Sequence, residues 1–130
     1  MAKKKSPRKK LKERCEKLVK EIVKIRDNYT CQICGKRVEG TNCHASHVIP
    51  VSAGLMTAYD PLNLKVLCFH HHMNFWHKNP IEAGEWFKNK FPERYEYLQE
   101  RKKLNGKGTV HISLLEEWET DLKKQLNELK

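Results

Sequence analysis

No run in this 130-residue chain approaches the ~20 consecutive apolar residues that a helix needs to cross a bilayer, so a membrane role is not expected. The N-terminus does not look like a secretory signal either, because its basic stretch is not followed by an uninterrupted apolar region. Internal repeats are missing as well. Acidic side chains are in short supply: 16 Asp or Glu face 26 Lys or Arg, for a net charge of +10. The five cysteines form no even set. Two of them are spaced C-x-x-C, which suits a reducing compartment and a metal better than a disulfide scaffold. A cytoplasmic location is therefore expected. The length allows one modest core, and apolar residues are frequent enough to fill it.

The positive charge is concentrated. Residues 1–20 carry ten Lys or Arg against only Glu13 and Glu16, and the remainder is nearly neutral. A basic arm on a neutral body favours a polyanionic partner, nucleic acid above all, with salt-dependent binding. A solubilising tail or a membrane-surface segment is the competing reading of charge alone. The basic residues in question are Lys3, Lys4, Lys5, Arg8, Lys9 and Lys10, with Lys78, Lys65 and Arg37 as further candidate phosphate contacts.

Residues 1–8 read as a flexible basic arm. From about Lys9 to Asp27 the apolar positions Leu11, Cys15, Leu18, Ile22 and Ile25 recur every three or four residues, the pattern of an amphipathic helix with Cys15 on its buried stripe. "CHASHVIPV" (43–51) reads as an edge strand interrupted by Pro50, and "LNLKVLC" (62–68) as a second strand, with Asn63 at its start. A helical region opens near His70. Asn79-Pro80 caps the next helix, Pro92 opens another, and Ser113 with Glu116 forms a capping box before a last amphipathic helix whose Leu115, Trp118, Leu122, Gln125 and Leu129 share a face. That face offers a surface for pairing, although nothing in the sequence sets an oligomeric state.

Cys31-x-x-Cys34 and Cys68-x-x-His71 are two ligand pairs with the same short spacing. Each pair chelates from one turn, and the long interval between them would pin two distant segments to one tetrahedral zinc. Four protein ligands leave no open position for substrate, so this zinc is expected to be structural. Cys43 has no such partner.

A second group is left over: His44, His47, Asn63, His72 and His77. With "RDNYTCQICG" (26–35), "SHVIP" (46–50), "DPLNLKVLC" (60–68) and "HHMNFWH" (71–77) in this order, the chain resembles the HNH endonucleases, the ββα-metal or His-Me finger nucleases. It is similar to the zinc-braced members from phages and bacteria, among them the recombination nucleases of lambdoid phages. The resemblance implies an α+β fold: a small, mostly helical domain built around a ββα-metal hairpin and helix with a structural zinc knuckle. It also implies an arm over 1–8 and a single nuclease domain over 9–130, with the ββα core at about 26–78 and C-terminal helices at about 80–130. The setting would be a bacterial or phage-infected cell.

By the same resemblance His47 is the general base, Asn63 fixes the hairpin that orients it, and His72 binds a catalytic ion, Mg²⁺, Mn²⁺ or a similar divalent metal. The chemistry suits the residues. A near-neutral imidazole can take a proton from water, and a divalent ion can hold the scissile phosphate and its leaving oxygen. The sequence departs from the family at Ser46, where many members place a metal-binding Asp or His. In a strand His44 lies on the same face as Ser46 and could take over that role. His77 is five residues beyond His72, so only a distorted helix would place both on one face. The reading that follows is a metal-dependent DNA endonuclease, against a non-catalytic zinc-braced module that binds nucleic acid.

Overall fold

The computed structural model describes residues 4–106 and 108–130. Helix α1 (Pro7–Arg26) starts two residues before the expected boundary because Ser6 caps it: the Ser6 hydroxyl accepts from the Lys9 amide at 3.1 Å, and Pro7 fills the first turn. Pro7 and Arg8 are therefore helical residues and not part of an arm, while Lys9 and Lys10 are helical as expected. Lys3 lies outside the described residues. Lys24 and Arg26 sit in the last turn, where cations complement the helix dipole.

The single sheet is a two-stranded antiparallel hairpin of β1 (His44–His47) and β2 (Leu64–Leu67), in the register His44 to Leu67, Ala45 to Val66, Ser46 to Lys65 and His47 to Leu64. Both strands are shorter than expected. Asn63 does not begin β2; it ends a 3₁₀ turn, Pro61–Asn63, opened by the Asp60 carboxylate accepting from the Leu62 amide. The loop between the strands contains one helical turn, α2 (Leu55–Ala58). All four β2 residues are buried. This strand is covered on both faces, so Lys65 is wholly inside and is not the surface phosphate contact the sequence pattern allowed.

After β2 the chain enters a π-helical turn, His71–Trp76, and then α3 (Pro80–Lys90), α4 (Pro92–Arg101) and α5 (Ile112–Leu129). The cap of α5 is His111, whose Nδ1 accepts from the Ser113 amide at 3.1 Å, in place of the expected Ser113–Glu116 box. Helices α1 and α5 pack together through Leu11, Cys15, Val19 and Ile22 on one side and Leu115, Leu122 and Leu126 on the other, and β2 joins this core. Leu126 replaces Leu129 in the interface; Leu129 is exposed. Trp86, Phe87 and Phe91 pack with Trp76 into a second cluster. The domain is thus α+β, mostly helical, around a hairpin. Among the described residues no helix is long and apolar enough to cross a membrane.

Candidate functional site

The knuckle is set by backbone geometry just beyond α1. Asn28 and Tyr29 take left-handed conformations that reverse the chain. Gly35, at φ 73°, lets its own amide donate to Cys31 O at 2.8 Å, while the Cys31 amide donates to Lys36 O at 2.9 Å. The Gln32 amide, donating to Val66 O at 3.0 Å, fastens the turn to β2. Cys31, Cys34, Cys68 and His71 consequently bring one ligand atom each within 4.8 Å of one another. The His71 Nδ1 lies 3.2 Å from Cys68 Sγ and 3.8 Å from Cys31 Sγ.

The charges of these groups fit a soft cation. Burial alone would push the Cys31 thiol up, but the backbone groups of Cys34, Cys68 and Ile33 turned towards its sulfur bring it below the ordinary value. Burial lowers His71, assisted by neighbouring His70, and keeps its ring neutral. Burial raises Cys68, with Cys31 and Cys34 adding to the effect. A cation bound among them would offset the mutual repulsion of the three thiolates. These four residues form a potential zinc site.

His72 follows His71 directly and turns the other way. Its Nδ1 lies 2.7 Å from His44 Nδ1, and its Nε2 lies 3.0 Å from His77 Nε2. The His72–His77 contact depends on the π-helical turn: the His77 amide donates to His72 O at 3.2 Å, a five-residue step that brings the two rings together at a tilt of 49°. At the other end His44 Nε2 donates to Thr41 O at 2.8 Å. One tautomer order therefore satisfies the whole row, with His72 donating from Nδ1 to His44 and accepting on Nε2 from His77. Burial first, then the charges of His77, His44, Lys65 and Lys20, push His72 down to about 4. Among the described residues only the knuckle gathers three or more ligand atoms around one point. The three imidazoles are strung in a line.

His47 ends β1. Its Nε2 donates to Ala58 O at 2.9 Å, which leaves the Nδ1 lone pair unassigned. Burial lowers its pKa from 6.5, partly offset by the Ala58 carbonyl. The His47 carbonyl accepts from Trp76 Nε1 at 3.1 Å and from Lys65 Nζ at 3.4 Å. Asn63 is fully buried and closes the intervening loop: Oδ1 accepts from the Ile49 amide at 2.8 Å, and Nδ2 donates to Ile49 O and Thr57 O, each at 2.9 Å. The Ala58 acceptor lies in the segment that Asn63 ties down.

Ser46 faces inward, where its hydroxyl accepts from Lys65 Nζ at 2.9 Å. His44, two residues earlier on the same strand face, meets His72. His70 is exposed and lies within hydrogen-bond distance of Asn74. Lys78, Lys4, Lys9 and Lys10 are exposed, and Lys5 is engaged with Glu13 at 2.9 Å. Sequence reasoning gave Lys65 a surface role and assigned none to Trp76 or Lys20. For Lys20 the signal was present, since it lies on the polar side of α1, and its charge lowers both His47 and His72.

Residues 31–75 match the family model described as HNH endonuclease. No curated protein and no solved structure matches the chain. The matched stretch includes the four knuckle residues together with His44, His47, Asn63 and His72, and ends just short of His77. Residues 31–75 are thus similar to an HNH endonuclease domain, and the Cys/His cluster within them is consistent with the zinc-braced type.

Proposed function

We propose that the protein is a metal-dependent DNA endonuclease that hydrolyses phosphodiester bonds with His47 as general base. The observation that carries this reading is the His47 ring. One nitrogen is fixed to Ala58 O, burial keeps the ring neutral, and the other nitrogen is left to take a proton from water. Asn63 supports the base by holding the loop that supplies Ala58. The four-ligand knuckle braces the hairpin and has no substrate role.

His72 would hold the catalytic ion, sharing it with His44 on its Nδ1 edge or with His77 on its Nε2 edge. A divalent ion bound there supplies charge neutralisation at the scissile phosphate and the leaving oxygen. The donors are imidazoles without a carboxylate, a set that favours Mn²⁺, Co²⁺, Ni²⁺ or Zn²⁺ over Mg²⁺. Lys4, Lys9, Lys10, Lys20 and Lys78 would hold the DNA backbone without reading sequence. Relaxation of supercoiled plasmid over a panel of divalent ions, by the natural chain and by His47→Ala, tests the proposal. Ion-dependent nicking that vanishes in His47→Ala is expected. Undiminished nicking by His47→Ala would falsify the assignment of the base.

Ser46 favours a second reading, a zinc-braced module that binds nucleic acid without cutting it. The residue that would supply an acidic ligand is instead buried against Lys65. DNA retention without nicking under every ion tried would select that reading.

A further inference from the structure

We infer that Lys65 is a positioning residue for the proposed cleavage, an interior brace that holds the backbone of His47 against the turn that carries His72 and His77. This rests on the endonuclease reading above. Lys65 is wholly buried, and among the described residues no acidic side chain forms an ion pair with it. Its Nζ reaches three residues on two elements at once. It donates to Ser46 Oγ at 2.9 Å and to His47 O at 3.4 Å on β1, and lies 3.1 Å from the centre of the Trp76 ring at the end of the π-helical turn. Trp76 in turn donates its indole N–H to the same His47 carbonyl at 3.1 Å. The base is thus held at both ends, its ring by Ala58 O and its backbone by Lys65 and Trp76.

Stability alone does not account for a lysine here. Removing an ammonium from water without a carboxylate partner is expensive, and an apolar residue of similar size is often neutral or better. The other three β2 positions are the apolar Leu64, Val66 and Leu67, and Asn63 already closes the loop. The brace does not depend on the charge state of Lys65, because a neutral amine still has two hydrogens for its two oxygens. The inward turn of Ser46 is explained as well: a small hydroxyl beside the base leaves room for Nζ and gives it an acceptor.

The test compares the natural chain, Lys65→Met, Ser46→Ala and His47→Ala in plasmid nicking, with zinc content and melting temperature measured for each. Lys65→Met is expected to keep its zinc and its melting transition. Its kcat should fall by about 10- to 100-fold, the scale of a misplaced reacting group, while KM for DNA changes by less than about 2-fold. Ser46→Ala should lower kcat by a smaller factor in the same direction, and it decides the matter if Lys65→Met does not fold. In both variants the Nε2 proton of His47, seen by NMR, should exchange faster than in the natural chain. A folded Lys65→Met with unchanged kcat overturns the brace, as does a fall in kcat matched by loss of zinc or of melting temperature in both variants. If His47→Ala nicks as the natural chain does, the base assignment has failed. If His47→Ala is dead and Lys65→Met is not, only the brace has failed. A natural chain that nicks nothing takes down both.

Discussion

In the knuckle, four ligand atoms from two distant segments face a common point; in the imidazole row, three rings hang in a line on opposite nitrogens of His72. The two centres meet across the His71–His72 peptide bond, yet their construction differs. The knuckle is dominated by thiols, two of them buried, and its positions are set by backbone turns with fixed amide donors. The row is made of rings, ends in the exposed His77, and depends on one unusual helical turn. A convergent soft-ligand set can saturate a cation and hold two segments together. An open row of rings would, on the proposed reading, keep coordination places for water and phosphate. Proximity in sequence says little about role, and the partner of each histidine says much more.

The largest expected effect lies on the knuckle side. Cys31→Ser, or stripping of the zinc by a strong chelator, should abolish cooperative melting, since structural zinc contributes about 10–16 kcal/mol in small zinc domains; circular dichroism melts with and without added zinc check this. A melting curve indifferent to zinc would erase the distinction between the two centres. Next comes His47→Ala, expected to lower nicking by about 10²–10⁴-fold while the melting temperature stays put. Loss of both together would mean that the second centre is also a brace.

His44→Ala and His77→Ala sharpen the comparison within the row. Each should weaken the apparent affinity for the activating ion, by about 10- to 100-fold for the one that shares the ion and less for the other. Metal titrations of nicking then show which edge of His72 binds. The pH response is smaller. His47 and His72 both have folded values below the ordinary 6.5, so the folded state takes up fewer protons than the unfolded chain. Their contribution is fully present above pH 6.5 and is lost as pH falls from there towards about 4, the value for His72. Nicking, which needs neutral rings, should decline over the same window, and rate profiles with parallel melts will show it. The smallest effect is expected from Lys4→Ala: a change of about 2-fold or less at physiological salt, and a salt slope shallower by about 1 if Lys4 meets a phosphate.

The knuckle was legible in the sequence because its chemistry lies in short spacings: C-x-x-C and C-x-x-H each close within a single turn, and the turn needs no help from distant residues. The helical positions of Leu11, Cys15 and Ile22 were legible for a similar reason, as a local period that the core obeys. His77 was legible only as a condition, because a five-residue step meets only when the helix widens, and nothing in "HHMNFW" encodes a π turn by propensity. Lys65 was misplaced because alternation in a short strand assumes one wet face. Here α1 covers one side of β2 and Trp76 the other, a fact of tertiary packing. The His111 cap was hidden behind a Ser113–Glu116 pattern that satisfies the usual rule equally well two residues later. Ser46 read as a defect in the motif only because its inward partner was out of view.

The π-helical turn makes this domain intolerant of changes in length where it is tolerant of changes in composition. Met73 and Asn74 face outward, and their identities have little to do with the alignment of the rings at either end. Their number has everything to do with it. Removing one residue between His72 and His77 would let the segment relax to an ordinary α-helix with a four-residue hydrogen-bonded step, carrying the Trp76 indole away from the His47 carbonyl along with it. A single deleted codon in this segment would therefore do more harm than several substitutions, and gaps here would be rarer than mismatches in any set of working variants.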